Sequence, residues 1–128
     1  MMMKIDRLDH LVLTVKNIDA TCAFYTTVLG VKEKTFGKGR KAIAFGRQKI
    51  NLHACDEPFE PKALHPTPGS ADLCFITTMS LSKITEHVRS CGVEIIEGPV
   101  KRTGAVGTVT SFYFRDLDGN LIEVSRYE

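Results

Sequence analysis

The feature that most limits what this chain can fold into is an internal repeat. His10-Leu-Val-Leu-Thr-Val set over Asp72-Leu-Cys-Phe-Ile-Thr opens an alignment that reaches Gly30-Val31 over Gly92-Val93 without a gap, at a constant offset of 62 residues. Such self-similarity means one supersecondary unit used twice, each copy burying an apolar face it cannot bury alone. Residues 10–15 read as a strand, with His10, Val12 and Thr14 on one face and Leu11, Leu13 and Val15 on the other. Ile18, Cys22, Tyr25 and Leu29 then recur at helical spacing, with Asn17 as N-cap and Gly30 as the stop. In the second copy Leu81, Ile84, Val88 and Cys91 repeat the helical stripe, capped by Ser80 and ended by Gly92.

Three extended pieces follow each helix. They cover about 31–37, 41–46 and 49–55 in the first copy, and about 93–100, 108–115 and 121–127 in the second. The Gly98–Gly107 stretch reads as a loop, and Asp118-Gly119 between apolar strands marks a hairpin because its residues tolerate positive φ. Matching Ile50-Asn51-Leu52 to Ile122-Glu123-Val124 requires about three additional residues in the second hairpin, which Asp116–Asn120 supplies. Each half is a βαβββ module, about 5–55 and 72–127. Residues 56–71 hold four of the five prolines and read as a stiff extended linker. The expected class is α+β, one domain over 1–128 with two tandem βαβββ modules.

Composition excludes several other functions. Seventeen basic against 15 acidic side chains give a net charge of +2, too balanced to draw nucleic acid by field strength. No apolar run approaches the ~20 residues of a membrane helix, and the Met1–Arg7 start lacks the apolar core of an export signal. The chain reads as soluble and cytoplasmic. Cys22, Cys55, Cys74 and Cys91 form no C-x-x-C pair, so zinc-ribbon and thioredoxin-like sites lack their spacing. They read as reduced thiols packed as small hydrophobes.

Three stretches resemble a known superfamily: Asp9-His10-Leu11-Val12-Leu13-Thr14-Val15, Phe24-Tyr25-Thr26-Thr27-Val28-Leu29-Gly30-Val31, and Phe112 through Glu123 with its Arg115-Asp116-Leu117-Asp118-Gly119-Asn120 turn. The chain is similar over roughly 5–127 to the vicinal oxygen chelate proteins, which include glyoxalase I, fosfomycin-resistance transferases, extradiol dioxygenases and bleomycin-binding proteins. It looks most like small glyoxalase-domain proteins, some labelled virulence-associated or dioxygenase-related. The resemblance implies a half-open, curved mixed sheet with a divalent metal on its concave face, held by the first and last strand of each module. Carried over, those positions are His10, Asn51, Asp72 and Glu123. Two depart from the pattern: glyoxalase I has a carboxylate where Asn51 stands, and a histidine is usual where Asp72 stands.

Imidazole with two carboxylates is an oxygen-rich set that favours manganese, iron(II), cobalt or nickel over zinc. His10, Asp72 and Glu123 are the expected ligands, with Asn51 as a weak ligand or a group orienting bound water, and His53 on the same strand face as an alternative. The resemblance implies Glu123 as the base when displaced from the metal, with Asp72 or a metal-bound hydroxide as substitutes. Tyr113 alternates away from Phe112 and Phe114 and offers a hydroxyl, while Arg102 can grip a substrate carboxylate from the Gly-rich loop. Lys32, Lys34, Lys38, Arg40 and Lys41 form a basic group beside the first hairpin. His65 and His87 read as linker and exposed-helix residues. Three functions stay open: a metal-dependent lyase or isomerase of the glyoxalase I kind acting on a glutathione–dicarbonyl adduct or similar substrate, an iron(II) extradiol dioxygenase, and a non-catalytic small-molecule binder. Family members usually pair into homodimers, often sharing the site between chains; a cavity closed within one chain is the alternative.

Overall fold

A computed structural model describes all residues, 1–128. Its order is β1 (His10–Val15), α1 (Ile18–Leu29), β2 (Lys32–Phe36), β3 (Arg40–Phe45), β4 (Gln48–Ala54), β5 (Asp72–Ile76), α2 (Leu81–Ser90), β6 (Glu97–Thr103), β7 (Thr108–Arg115) and β8 (Leu121–Tyr127). The repeat is therefore βαβββ twice. Each module makes its own four-stranded mixed sheet, β1-β4-β3-β2 and β5-β8-β7-β6, and no ladder joins the two. In each, the first strand lies parallel to the last, and the rest pair antiparallel.

Local chemistry explains the first helix. Asn17 accepts from the Ala20 N–H at 2.9 Å, satisfying one of the unpaired donors of the first turn, and Gly30 ends the helix at φ 69°. Ser80 precedes α2 but its side chain makes no capping bond, and the helix stops at Ser90 with Cys91 as its C-cap, one residue short of the expected Gly92. β6 starts at Glu97 rather than near 93 and runs into the stretch read as a loop. Val93 and Ile95 pack on the core without joining the ladder, whose register then shifts between Glu97 and Val100. Gly98 sits there because a Cβ would lie 2.6 Å from the Phe112 backbone.

One core serves both modules. Leu13, Val15, Ile43 and Ile50 from the first sheet meet Phe112, Phe114, Ile122 and Val124 from the second, with Cys22, Tyr25 and Val88 of the helices between them. Burying each large side chain contributes about 1.5–3 kcal/mol. The β7–β8 turn ties the halves together: Asp116 is buried and accepts from the Tyr25 hydroxyl at 2.6 Å, from Asn120 Nδ2 at 2.8 Å, and from the N–H groups of Asp118 and Asn120 at 3.0 and 2.9 Å. That five-residue turn, 116–120, compares with two residues, 46–47, in the first hairpin, the three-residue excess expected from sequence. Linker residues 56–71 do not stand off as a spacer; they lie back against the first sheet, with the Phe59 ring 4.4 Å from the Arg40 guanidinium. No helix is long and apolar enough to cross a membrane.

Candidate functional site

Strand alternation leaves one face of each sheet turned away from the core. On the first sheet that face carries His10, Val12 and Thr14 of β1, paired with Lys49, Asn51 and His53 of β4. On the second it carries Asp72, Cys74 and Ile76 of β5, paired with Leu121, Glu123 and Ser125 of β8. Val12 faces Asn51 as Cys74 faces Glu123. His10 and Asp72 are thus equivalent, and so are Asn51 and Glu123.

The second face is open and charged. Asp72, Glu97, Arg102, Tyr113, Arg115 and Glu123 line a cavity of about 430 Å³. Arg102, on β6 and not in a covering loop, donates through Nε to the Tyr113 hydroxyl at 3.1 Å and through Nη2 to Glu97 Oε1 at 3.2 Å. Burial pushes the Tyr113 hydroxyl above its ordinary pKa, with Arg102 pulling against it and Glu123 adding to it. Glu123 is half-buried, and its Oε2 accepts from the Ser125 hydroxyl at 3.2 Å; Ser125 in turn bonds Ser111 at 2.6 Å in the interior. Glu97, Arg115, Ser111 and Ser125 went unnoticed in the sequence, although strict alternation along β7 and β8 puts the last three on the Tyr113–Glu123 face.

The first face differs. His10 is exposed at the start of β1, its Nδ1 2.9 Å from Asp9 Oδ2, a contact that lowers the pKa of Asp9. Asn51 and His53 are buried, at 5% and 7% exposure, although their face points away from the core. Burial first, and then the Arg40 cation, hold His53 below the usual imidazole range, so the ring is neutral at pH 7. Asn51 Oδ1 is buried without any hydrogen-bond partner.

The expected ligands come together only in pairs. His10 and Asp72 line a groove of about 190 Å³, and Asp72 and Glu123 line the cavity described above. No three His, Cys, Asp or Glu side chains of one chain lie close enough to hold a metal ion. The donor types nonetheless suit a divalent cation: an imidazole, two carboxylates, and an amide oxygen that lacks the positive partner its burial calls for. The predicted substrate contacts divide likewise, Arg102 and Tyr113 in the open cavity, Asn51 and His53 on the covered face.

The profile of the Glyoxalase/Bleomycin resistance protein/Dioxygenase superfamily matches residues 7–124. The virulence protein STM3117 of Salmonella typhimurium is 57% identical over 125 residues, 98% of this chain and 87% of that protein. The glyoxalase domain-containing protein RDO1 of Mycosarcoma maydis is 54% identical over 121 residues, 94% of this chain and 68% of that one. An integron cassette protein from the mobile metagenome of V. cholerae superposes with a TM-score of 0.98 at 62% identity, over the whole of both chains. Two remoter structures show the fold alone: a lactoylglutathione lyase from Agrobacterium tumefaciens (TM-score 0.73, 21% identity, 95% and 94% of the two chains) and the FosX fosfomycin resistance protein of Listeria monocytogenes, complexed with Mn(II) and sulfate (0.68, 22%, 98% and 93%). The chain belongs to the glyoxalase/bleomycin resistance protein/dioxygenase superfamily.

Proposed function

We propose that the protein is a divalent-metal-dependent enzyme of the glyoxalase I kind, a lyase or isomerase acting on a small substrate with vicinal oxygens, with a glutathione–dicarbonyl adduct as the first to test. The observation that carries this reading is the placement of His10 and Asp72, and of Asn51 and Glu123, at matching positions on the two outward faces, the second beside a charged cavity. His10, Asp72 and Glu123 would hold the metal, with Asn51 turned to it or to its water. The bound cation would polarise a substrate carbonyl as a Lewis acid. Nickel, manganese, iron(II), cobalt and zinc are the ions to try, manganese early because the FosX structure contains it.

The chain's own residues divide the remaining work. Glu123 accepts the proton from the substrate carbon; Ser125 restrains one carboxylate oxygen and leaves the other for the transfer. Asp72 is the alternative base. Arg102 is braced by Tyr113, Glu97 and the Lys101 carbonyl, which leaves one N–H on each terminal nitrogen for a substrate carboxylate.

A homodimer completes the site in this reading, the first face of one copy meeting the second face of the other. Two observations support it: single chains bring the ligands together only in pairs, and the faces differ in charge. Lys32, Lys34, Arg40 and Lys49 stand on the first without a carboxylate, whereas on the second Asp72, Glu97 and Glu123 stand with Arg102 and Arg115. Such a protein would work in the cytoplasm.

Elemental analysis of the purified protein, alongside His10→Ala and Glu123→Ala and with sedimentation of each, tests the proposal. One transition metal per chain, lost in both variants, followed by turnover of dicarbonyl adducts, is the expected result. Oxygen uptake with catechols would move the reaction to the dioxygenases. No metal, even after reconstitution, would make the protein a binder of small molecules.

A further inference from the structure

A second cavity, of about 400 Å³, lies between the Pro-rich segment 56–71 and the covered end of the first face. That size falls within the range of small-molecule pockets. Its 13 lining residues include Lys62, His53, His65, Thr14, Thr67 and Ser70, and no carboxylate, in a chain with 15 Asp and Glu. The charged cavity on the other module, by contrast, contains three carboxylates. We propose that this cavity is a binding site for a small organic anion, whose carboxylate or phosphate is held by Lys62 and His65 and whose aliphatic part rests on Val12, Ala63 and Ala71.

Elimination selects those donors. Thr67 donates to the His65 carbonyl and Ser70 to the Thr67 carbonyl, and Asn120 is bound to Asp116 and Ala71, so these groups hold the segment's own shape. Lys62 has only a loose ion pair, 3.7 Å from Glu60, which a ligand anion displaces. Arg40 Nη2 lies 3.5 Å from His53 Nε2; the guanidinium makes that nitrogen the acceptor and leaves the imidazole proton on Nδ1 as a donor. The Arg40 cation thereby adds to the positive character of the cavity wall through His53.

The cavity is also built in advance. Phe59 packs on Arg40 near one end of the segment, and His53 lies 6.0 Å from the same ring. At the other end Ala71 accepts from the Leu121 N–H at 3.0 Å and donates to Asn120 Oδ1 at 2.9 Å. Gly69 lies so close to the Asp118 carbonyl that a Cβ would approach it to 2.5 Å. With both ends pinned, little ordering entropy opposes binding.

The test is an amide-shift titration of the full chain with propionate, methyl phosphate and propylammonium at constant ionic strength, in chelator so that metal plays no part. The expected result is saturable shifts with one or both anions, confined to residues 12–14, 53–54 and 62–71, and none with the cation; the tighter anion identifies the head group. Lys62 and His65 are exposed, so Lys62→Gln/His65→Gln should fold normally and weaken the anion by about tenfold or more, the loss of a charge-assisted hydrogen bond. Thr14→Val is the second variant, expected to weaken it less. Non-saturating shifts, shifts centred on Lys32, Lys34 and Lys38, or affinity unchanged in the double variant would each overturn the site.

Discussion

On the first module the strand face turned from the core is basic and is covered at one end, where His53 lies under the 56–71 segment, while His10 and Val12 at the other end are exposed. On the second module the same face is open at the Asp72 end, with Asp72 exposed and Glu123 half-buried beside a cavity, while Ser111 and Ser125 further along it are buried. The backbones are equivalent down to the pairing of Val12 with Asn51 and of Cys74 with Glu123. A duplicated scaffold thus fixes where a side chain can stand, while residue choice and the linker decide what that position does. The β7–β8 turn, longer than its counterpart, gives the second module a buried carboxylate that the first lacks.

Removing that carboxylate is expected to have the largest effect. Asp116→Ala would leave the Tyr25 hydroxyl, the Asn120 amide and two backbone N–H groups without their acceptor, and should cost about 3–5 kcal/mol. Tyr25→Phe removes one donor and should cost only about 1–2 kcal/mol. Urea unfolding measures both. If Asp116→Ala proved no worse than Tyr25→Phe, the turn would not be what joins the modules.

The next pair of variants tests whether equivalent positions do different work. Glu123→Ala should lower metal affinity by about a hundredfold or more, whereas Asn51→Ala should lower it by about tenfold or less, as a neutral or water-orienting donor would. Asn51→Asp places a carboxylate at the position matching Glu123 and should tighten binding. Calorimetry with manganese and nickel reads all three. Equal losses at Asn51 and Glu123 would erase the distinction between the faces.

Much of this was legible in the sequence because it is local. Asn17 and Gly30 punctuate α1 by capping chemistry, and the β8 register could be aligned because Ile50-Asn51-Leu52 and Ile122-Glu123-Val124 repeat an alternating pattern. The start of β6 was not, since Val93 and Ile95 look strand-like while burying themselves without ladder bonds. Nor was the linker's position, because a proline-rich composition reports stiffness and says nothing of Phe59 finding Arg40 across the fold. The candidate ligands were found as residue types at strand positions. Their separation into pairs depends on how two sheets pack around one core, a tertiary fact with no local signal.

Covering of the first face can be undone more gently. Phe59→Ala removes the ring from Arg40 and His53 and should cost about 1 kcal/mol, the scale of an exposed cation–π contact. Hydrogen exchange at residues 53–64 should accelerate while β5 and β8 keep their protection. Uniform acceleration across both sheets would mean that the segment supports the whole fold and does not merely cover one face.

The last comparison separates the two helices. Cys22 of α1 occupies the position that Ile84 occupies in α2, so one module buries a titratable group where the other packs a half-buried hydrocarbon on the core. Burial, reinforced by Glu33, pushes the Cys22 thiol up to about 11 from an ordinary 9.0. Between those values the unfolded chain releases this proton and the folded chain keeps it. The native state then binds more protons, so stability falls as pH rises through the window. Cys22→Ala removes the titration along with some packing. Its deficit in stability against the wild-type chain should therefore be greatest near pH 8.5 and shrink towards pH 10.5. Parallel curves for the two proteins would show that the thiol ionises equally well in the folded and unfolded chain, and that the first helix buries it no more tightly than water does.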